Sequence, residues 1–214
     1  MKYKNLIFDI DGTLWDSREI IARGYNAQLA DEGLAHLSVT AEELKQQFGK
    51  VTDAIADALF ASVPAPERYS LMVRCMERQV GFLKADPCNI DYPGVRDTIA
   101  KLAENHRLFI VSNSESGYPQ LCMEKLGLTP YILDHLCFGD TGTSKGKTIR
   151  TLMERNGIDE TDVIYIGDTQ GDYAATVEAG IPFIWCTFCF GTPAGYVAKV
   201  DTFDALLALE EEKA

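Results

Sequence analysis

Apolar residues along this chain come in short dense bursts, separated by longer stretches where they recur at helical spacing. The bursts are Leu6–Asp9, Leu108–Ser112, His135–Phe138, Val163–Ile166 and Pro182–Cys186. The first, second and fourth are nearly continuous rather than alternating, the pattern of strands covered on both faces. Between them, residues 94–104 place Val95, Ile99 and Leu102 on one helical face, directly after Pro93-Gly94. Residues 119–126 do the same with Leu121, Met123 and Leu126, and Gly127 ends that run; Ile149, Leu152 and Met153 mark a third helix over 145–156, stopped by Gly157. Strand, helix and strand in turn, joined by short loops, predict an α/β fold: a doubly wound, Rossmann-like parallel sheet.

Residues 17–86 break this alternation. They carry four helical patterns, at about 17–31, 40–48, 51–61 and 66–85, punctuated by Gly33, Gly49 and Pro64/Pro66, with no strand among them. Structureless loops seldom exceed about 12–15 residues, so the segment is expected to be a small helical domain inserted after the first strand. The predicted division is a core of 1–16 with 87–214 and a helical cap of 17–86.

Composition narrows the function. Of 214 residues, 46% are hydrophobic and 24% charged, and 20 Lys and Arg face 32 Asp and Glu for a net charge of −12. That balance argues against a broad basic face for nucleic acid or anionic lipid, but leaves room for a small anion held by a few local cations. No apolar run approaches the roughly 20 residues of a membrane helix, and none near the start has the length of a secretory signal. A cytoplasmic protein without nucleic-acid or membrane partners, acting as a monomer or homodimer, is the expectation. The six cysteines are scattered; Cys186 and Cys189 form a lone CxxC without further zinc ligands, so they are expected to pack rather than to bind metal or cycle redox state. His36, His106 and His135 lack ligand spacing.

The chemistry gathers where strands end. In open parallel sheets the active crevice lies beyond the carboxyl ends of the strands. The first strand runs into Asp9 and Asp11, the second into Ser112 and Asn113, and the fourth into Asp168, with Asp172 four residues later; Lys145 and Lys147 follow the third. One aspartate after a strand is an ordinary cap or turn residue. Several strand ends agreeing points to a site. Carboxylates without histidine or thiolate suit magnesium. A carboxylate beside the metal can attack phosphorus, a second acid can protonate the leaving oxygen, and an ammonium with a hydroxyl can hold the transferring group. Lys145 stands four residues before Ile149 and seven before Leu152, on the inward face, whereas Lys147 lies about 200° around the helix from Ile149. Lys145 is therefore the expected site lysine.

"FDIDGTLWDS", Phe8 to Ser17, resembles the first motif of the haloacid dehalogenase (HAD) superfamily, DxDGT(L/V)xDS. Ser112-Asn113 in "FIVSN" resembles its second motif, the lysine ahead of the helix after the third strand its third, and "IGDTQGD" its fourth, GDxxxD. "DYPGV", Asp91 to Val95, resembles the usual re-entry from the cap into the core. The resemblance covers nearly the whole chain and is to phosphoglycolate phosphatase-like members with a helical (C1-type) cap. It implies Asp9 as nucleophile and Asp11 as general acid and base. It implies magnesium (Mg2+) on Asp9, the Asp11 backbone carbonyl and Asp168, with Asp172 in support or ligating through water. Ser112, Asn113 and Lys145 would hold the phosphate of a small phosphorylated metabolite. An acid at Asp11 implies a phosphoester, since dehalogenases of the family lack one there.

The resulting expectation is a magnesium-dependent phosphatase working through an aspartyl-phosphate, with a phosphomutase as the alternative. A phosphonatase or a phospho-accepting signalling domain is less favoured. Lys45, Lys50 and Lys84 are read as solvated surface, except that Gly49-Lys50 falls where such caps carry a substrate-reading loop. Gly146-Lys147-Thr148 resembles the tail of a P-loop, but the position five residues before Gly146 is Thr141 rather than glycine.

Overall fold

The computed structural model describes residues 2–211. It divides into two compact units: residues up to Trp15 together with those from Asp91 onward, and Asp16–Ile90. The predicted cap ran from 17 to 86; here the return falls later, because Asp16 N donates to Ile90 O at 2.8 Å and Trp15 bridges to Asp91.

In that unit six strands form one sheet: β1 (Asn5–Phe8), β2 (Arg107–Ser112), β3 (Ile132–Cys137), β4 (Val163–Gly167), β5 (Phe183–Cys186) and β6 (Ala198–Val200). Their order is β3-β2-β1-β4-β5-β6, every pair parallel. The first strand of the chain is therefore central, and the connection switches sides at β1, where open α/β sheets place their crevice. Ile7, Phe109, Val111, Tyr165 and Phe183 share a buried cluster with Ile149, Leu152 and Met153. On the alternate positions, Leu6, Phe8, Leu108, Ile110, Ile164 and Ile166 are buried as well. Burial on both faces explains why these strands read as continuous apolar runs.

Two edges depart from expectation. The third burst was expected at His135–Phe138, yet β3 starts at Ile132, and Phe138 opens a short helix capped by Cys137 and Asp140. As an edge strand it leaves Leu133 exposed, so its start carried no dense apolar signal. β6, "AKV", was not foreseen: three residues pairing with Ile184–Cys186 give no periodicity to detect.

The helical unit holds α1 (Arg18–Asp31), α2 (Ala41–Lys45), α3 (Thr52–Leu59) and α4 (Ala65–Ala85). The sheet-bearing unit adds α5 (Val95–Leu102), α6 (Tyr118–Leu126), α7 (Phe138–Thr141), α8 (Lys145–Asn156), α9 (Gln170–Ala179) and α10 (Ala205–Glu211). No helix among the described residues is long and apolar enough to cross a membrane. α1 and α4 pack closely because Gly24 has no side chain: a Cβ there would lie 2.7 Å from Gln79 Cα. Arg74 fastens the same pair, donating to both Glu32 oxygens at 2.6 and 2.7 Å.

The Arg74 hydrogen bond, joined by Gln28, pulls the Glu32 carboxyl from 4.5 down to about 2. A depressed carboxylate stabilises the fold above its unfolded pKa and loses that contribution as pH falls through the folded value. Glu32→Gln is expected to destabilise by no more than about 1 kcal/mol near neutrality, because the pair is partly solvated. In thermal unfolding the gap from wild type should close between 4.5 and about 2. A gap unchanged across that window would contradict the assignment.

Candidate active site

β1 delivers two aspartates to the carboxyl edge of the sheet. Its register pairs Phe8 with Ile110 of β2 and with Ile166 of β4, so Asp9 emerges between Val111 and Gly167. Asp9 N donates to Ile166 O at 2.9 Å, extending the ladder one step and fixing where the carboxylate starts. Gly12 then turns the chain at φ +86°, where a side chain would be strained. A Cβ at Gly12 would also run into the Asp168 carboxylate and lie 2.7 Å from the Phe190 ring.

Lys145 arrives from α8. Ser144 caps that helix, its Oγ accepting from Lys147 N at 3.4 Å, and Gly146 lets the first turn press against α9, since a Cβ there would lie 2.8 Å from Ala175 O. The P-loop-like "GKT" is therefore a close helix contact. Lys145 is buried, with Nζ 2.7 Å from Asp9 Oδ1 and 2.5 Å from Asp172 Oδ1; Lys147 faces solvent.

Asp168 and Asp172 come from the β4–α9 turn. Asp172 closes a capping box: Thr169 Oγ1 accepts from Asp172 N, while Asp172 Oδ2 accepts from Thr169 N at 2.9 Å, Thr169 Oγ1 at 2.7 Å and Asp168 N at 3.2 Å. Asp168 Oδ2 accepts from Phe190 N at 2.9 Å, and its Oδ1 is buried without a hydrogen-bond partner among the described residues. Asp9, Asp168 and Asp172 each offer an oxygen within 4.8 Å of the others. The Asp11 carboxylate stands outside this trio, accepting at Oδ1 from Trp15 Nε1 and from Tyr118 OH, each at 2.8 Å.

The electrostatics follow from three buried carboxylates sharing one ammonium. Burial, then the Asp172 charge, push Asp9 up to about 7 against the pull of Lys145. Burial and the charges of Asp172 and Asp9 hold Asp168 well above the usual carboxylate range. Burial alone would raise Asp172 and lower Lys145. Their mutual attraction and hydrogen bond overcome it, so Asp172 lies low and Lys145 high. Lys145 touches both Asp9 and Asp172, and one ammonium cannot offset three buried carboxylates, so Asp9 and Asp168 resist ionising unless a further cation joins them. An all-oxygen donor set with more carboxylates than one lysine can neutralise, and a buried oxygen without a partner among the described residues, fits a hard divalent cation.

Ser112 closes β2 and is buried, its Oγ accepting from Ser114 N at 3.3 Å; Asn113 follows it. Gly49 and Lys50 belong to the helical unit, Gly49 at φ +84° and Lys50 Nζ donating to Gln47 Oε1 at 3.0 Å. Sequence reasoning missed Tyr165, whose buried ring lies 5.3 Å from Lys145 Nζ while its OH donates to Val111 O at 2.8 Å. It also missed Phe190, Trp15 and Tyr118. Trp15 stood inside the first motif; nothing in the sequence marked the other two. No disulfide joins cysteines among the described residues, and Cys186 is buried at the end of β5 with its thiol pushed up by burial.

Acids from two central strand ends meet one buried lysine at the carboxyl edge of a doubly wound parallel sheet, a candidate site of the α/β class. The chain belongs to the haloacid dehalogenase-like hydrolases, whose family model matches residues 6–186. It is 28% identical to a phosphoglycolate phosphatase of Xanthomonas campestris pv. campestris, over 84% of this chain and 80% of that one. It is 26% identical to a phosphoglycolate phosphatase of Rhodospirillum rubrum, over 96% and 89%. Among solved structures, a haloacid dehalogenase-like family hydrolase of Streptococcus pneumoniae shares the fold with a TM-score of 0.84 at 17% identity, covering 98% of this chain and 99% of that one. A HAD-superfamily hydrolase of Geobacter sulfurreducens does so at 0.73 and 18% identity, covering 97% and 96%.

Proposed function

We propose that this hydrolase is a phosphatase that removes phosphate from a small phosphomonoester through a phosphorylated Asp9, with magnesium bound. The observation that carries the reading is the Lys145 bridge between Asp9 and Asp172, with Asp168 beside it bearing a buried oxygen that no group among the described residues satisfies. The phosphoglycolate phosphatases among the relatives favour small phosphorylated carboxylic acids as the first compounds to assay.

Asp9, Asp168 and the backbone carbonyl of Asp11 would hold the ion. Asp172, its oxygens occupied by Lys145, Thr169 and the Asp168 amide, supports them rather than ligating directly. When bound, magnesium neutralises the carboxylates and polarises the phosphoryl oxygens. The protein's own steps are then two displacements at phosphorus. An Asp9 oxygen forms a bond to phosphorus as the ester oxygen leaves, taking a proton from Asp11. Water, giving its proton back to Asp11, then attacks phosphorus, and Asp9 departs as a carboxylate. Lys145 keeps Asp9 oriented and shares the charge on the transferring group, with Ser112 and the Asn113 backbone as further donors. The helical unit, with Gly49-Lys50 at its substrate-reading turn, would act as a cap that excludes bulk water.

Metal removal tests the cofactor. Dialysis against EDTA should stop phosphate release from phosphoglycolate and other small phosphomonoesters, and added magnesium should restore it. Undiminished turnover in EDTA would contradict the metal assignment.

A further inference from the structure

Two buried aromatic donors converge on one oxygen of one acid. Trp15 Nε1 and Tyr118 OH each lie 2.8 Å from Asp11 Oδ1, and the two rings meet edge to face with centroids 5.5 Å apart. Both side chains are buried, so neither donor has bulk water as an easy substitute. The backbone locks the arrangement further. Gly12 N donates to Trp15 O at 3.0 Å, Asp11 and Trp15 form a β-bridge, and Trp15 bridges to Asp91 on the other side. Tyr118 starts α6, following Gly117 at φ +88°. Two segments far apart in sequence thus place one N–H and one O–H on the same atom.

We infer that Trp15 and Tyr118 are positioning residues that fix which oxygen of Asp11 carries the transferable proton. This rests on the reading of Asp11 as proton donor to the leaving group. A carboxyl oxygen has two lone pairs in its plane, and two donors occupy both on Oδ1. The proton is therefore confined to Oδ2. As the phosphorus–oxygen ester bond breaks, the Oδ2–H bond breaks with it and the leaving oxygen takes the proton. The negative charge left on Asp11 is shared with Oδ1, where both donors already point. Stabilisation prepared before charge develops is the form of electrostatic help that lowers a barrier. Without the donors the carboxyl could rotate or place its proton on either oxygen, and transfer would lose alignment.

The test uses Tyr118→Phe, which deletes one oxygen and keeps the stacked ring, beside Trp15→Phe and Asp11→Asn. kcat/KM is measured for an alkyl phosphomonoester that the wild type hydrolyses and for p-nitrophenyl phosphate, whose leaving group needs no proton. Each aromatic variant is expected to lose about tenfold on the alkyl ester and under about threefold on p-nitrophenyl phosphate. Equal losses on both substrates, or none on either, would overturn the inference. Asp11→Asn separates the two levels: if it too spares the alkyl ester, Asp11 is not the proton donor. If Asp11→Asn shows the leaving-group split and Tyr118→Phe does not, only the positioning role fails. Should Trp15→Phe not fold, Tyr118→Phe decides alone.

Discussion

Asp9→Asn is expected to lower kcat by a factor on the order of 10⁴–10⁶ while leaving a folded protein, as loss of a covalent nucleophile does elsewhere. The amide keeps the shape of the carboxylate but is a far poorer nucleophile toward phosphorus. Folding should survive because the substitution removes a negative charge from a buried cluster that holds three of them against one lysine. Burial and the Asp172 charge already push Asp9 up to about 7, so its ionised form is not what holds the fold together. Asparagine can still offer its carbonyl oxygen to Lys145. Matching circular dichroism and thermal unfolding, with phosphate release near background, is the expected pair of results. Substantial turnover by a deamidation-free preparation would remove Asp9 from the mechanism.

Lys145→Met should be costly in both stability and rate. The lysine is the single cation within reach of Asp9 and Asp172 among the described residues, and its departure leaves buried carboxylates without a partner. Breaking a buried pair in this way costs about 3–5 kcal/mol, and losing a donor to the transferring group costs about 10²–10³ in kcat. Methionine keeps an unbranched apolar stem and deletes the ammonium, including its approach to the Tyr165 ring at 5.3 Å, so the loss can be assigned to charge. Lys147→Ala, two residues along on the solvent side, should stay within about 0.5 kcal/mol of wild type and fully active. Urea unfolding with steady-state rates checks both. An inactive Lys147→Ala beside an active Lys145→Met would reverse the choice of lysine.

How much of this was legible in the sequence depends on how each residue is held. The central strands announced themselves because burial on both faces demands uninterrupted apolar residues, as in "NLIF" and "VIYIG". β6 and the first half of β3 sit at the sheet's edges, where that demand lapses and the pattern with it. Lys145 could be told from Lys147 because a helix converts spacing into direction; the structure places one against Asp9 and the other in solvent. Asp168 and Asp172 could be expected at a strand end, but not their division of labour. That follows from a capping box that occupies one Asp172 oxygen, while Lys145 takes the other. Tyr118 and Phe190 lie 107 and 22 residues from the acids they contact. Such contacts depend on how loops fold back over the sheet edge, and no local periodicity encodes that.

The stereochemical course at phosphorus tests the central claim most directly. A phosphomonoester made chiral at phosphorus by isotopic oxygen and sulfur substitution is hydrolysed by the magnesium-loaded enzyme in isotopically labelled water, and the configuration of the released thiophosphate is determined. Transfer first to Asp9 and then to water inverts phosphorus twice, so the account predicts net retention. Net inversion would mean that water attacks the ester directly, and would contradict the phosphorylated Asp9 on which the mechanism stands.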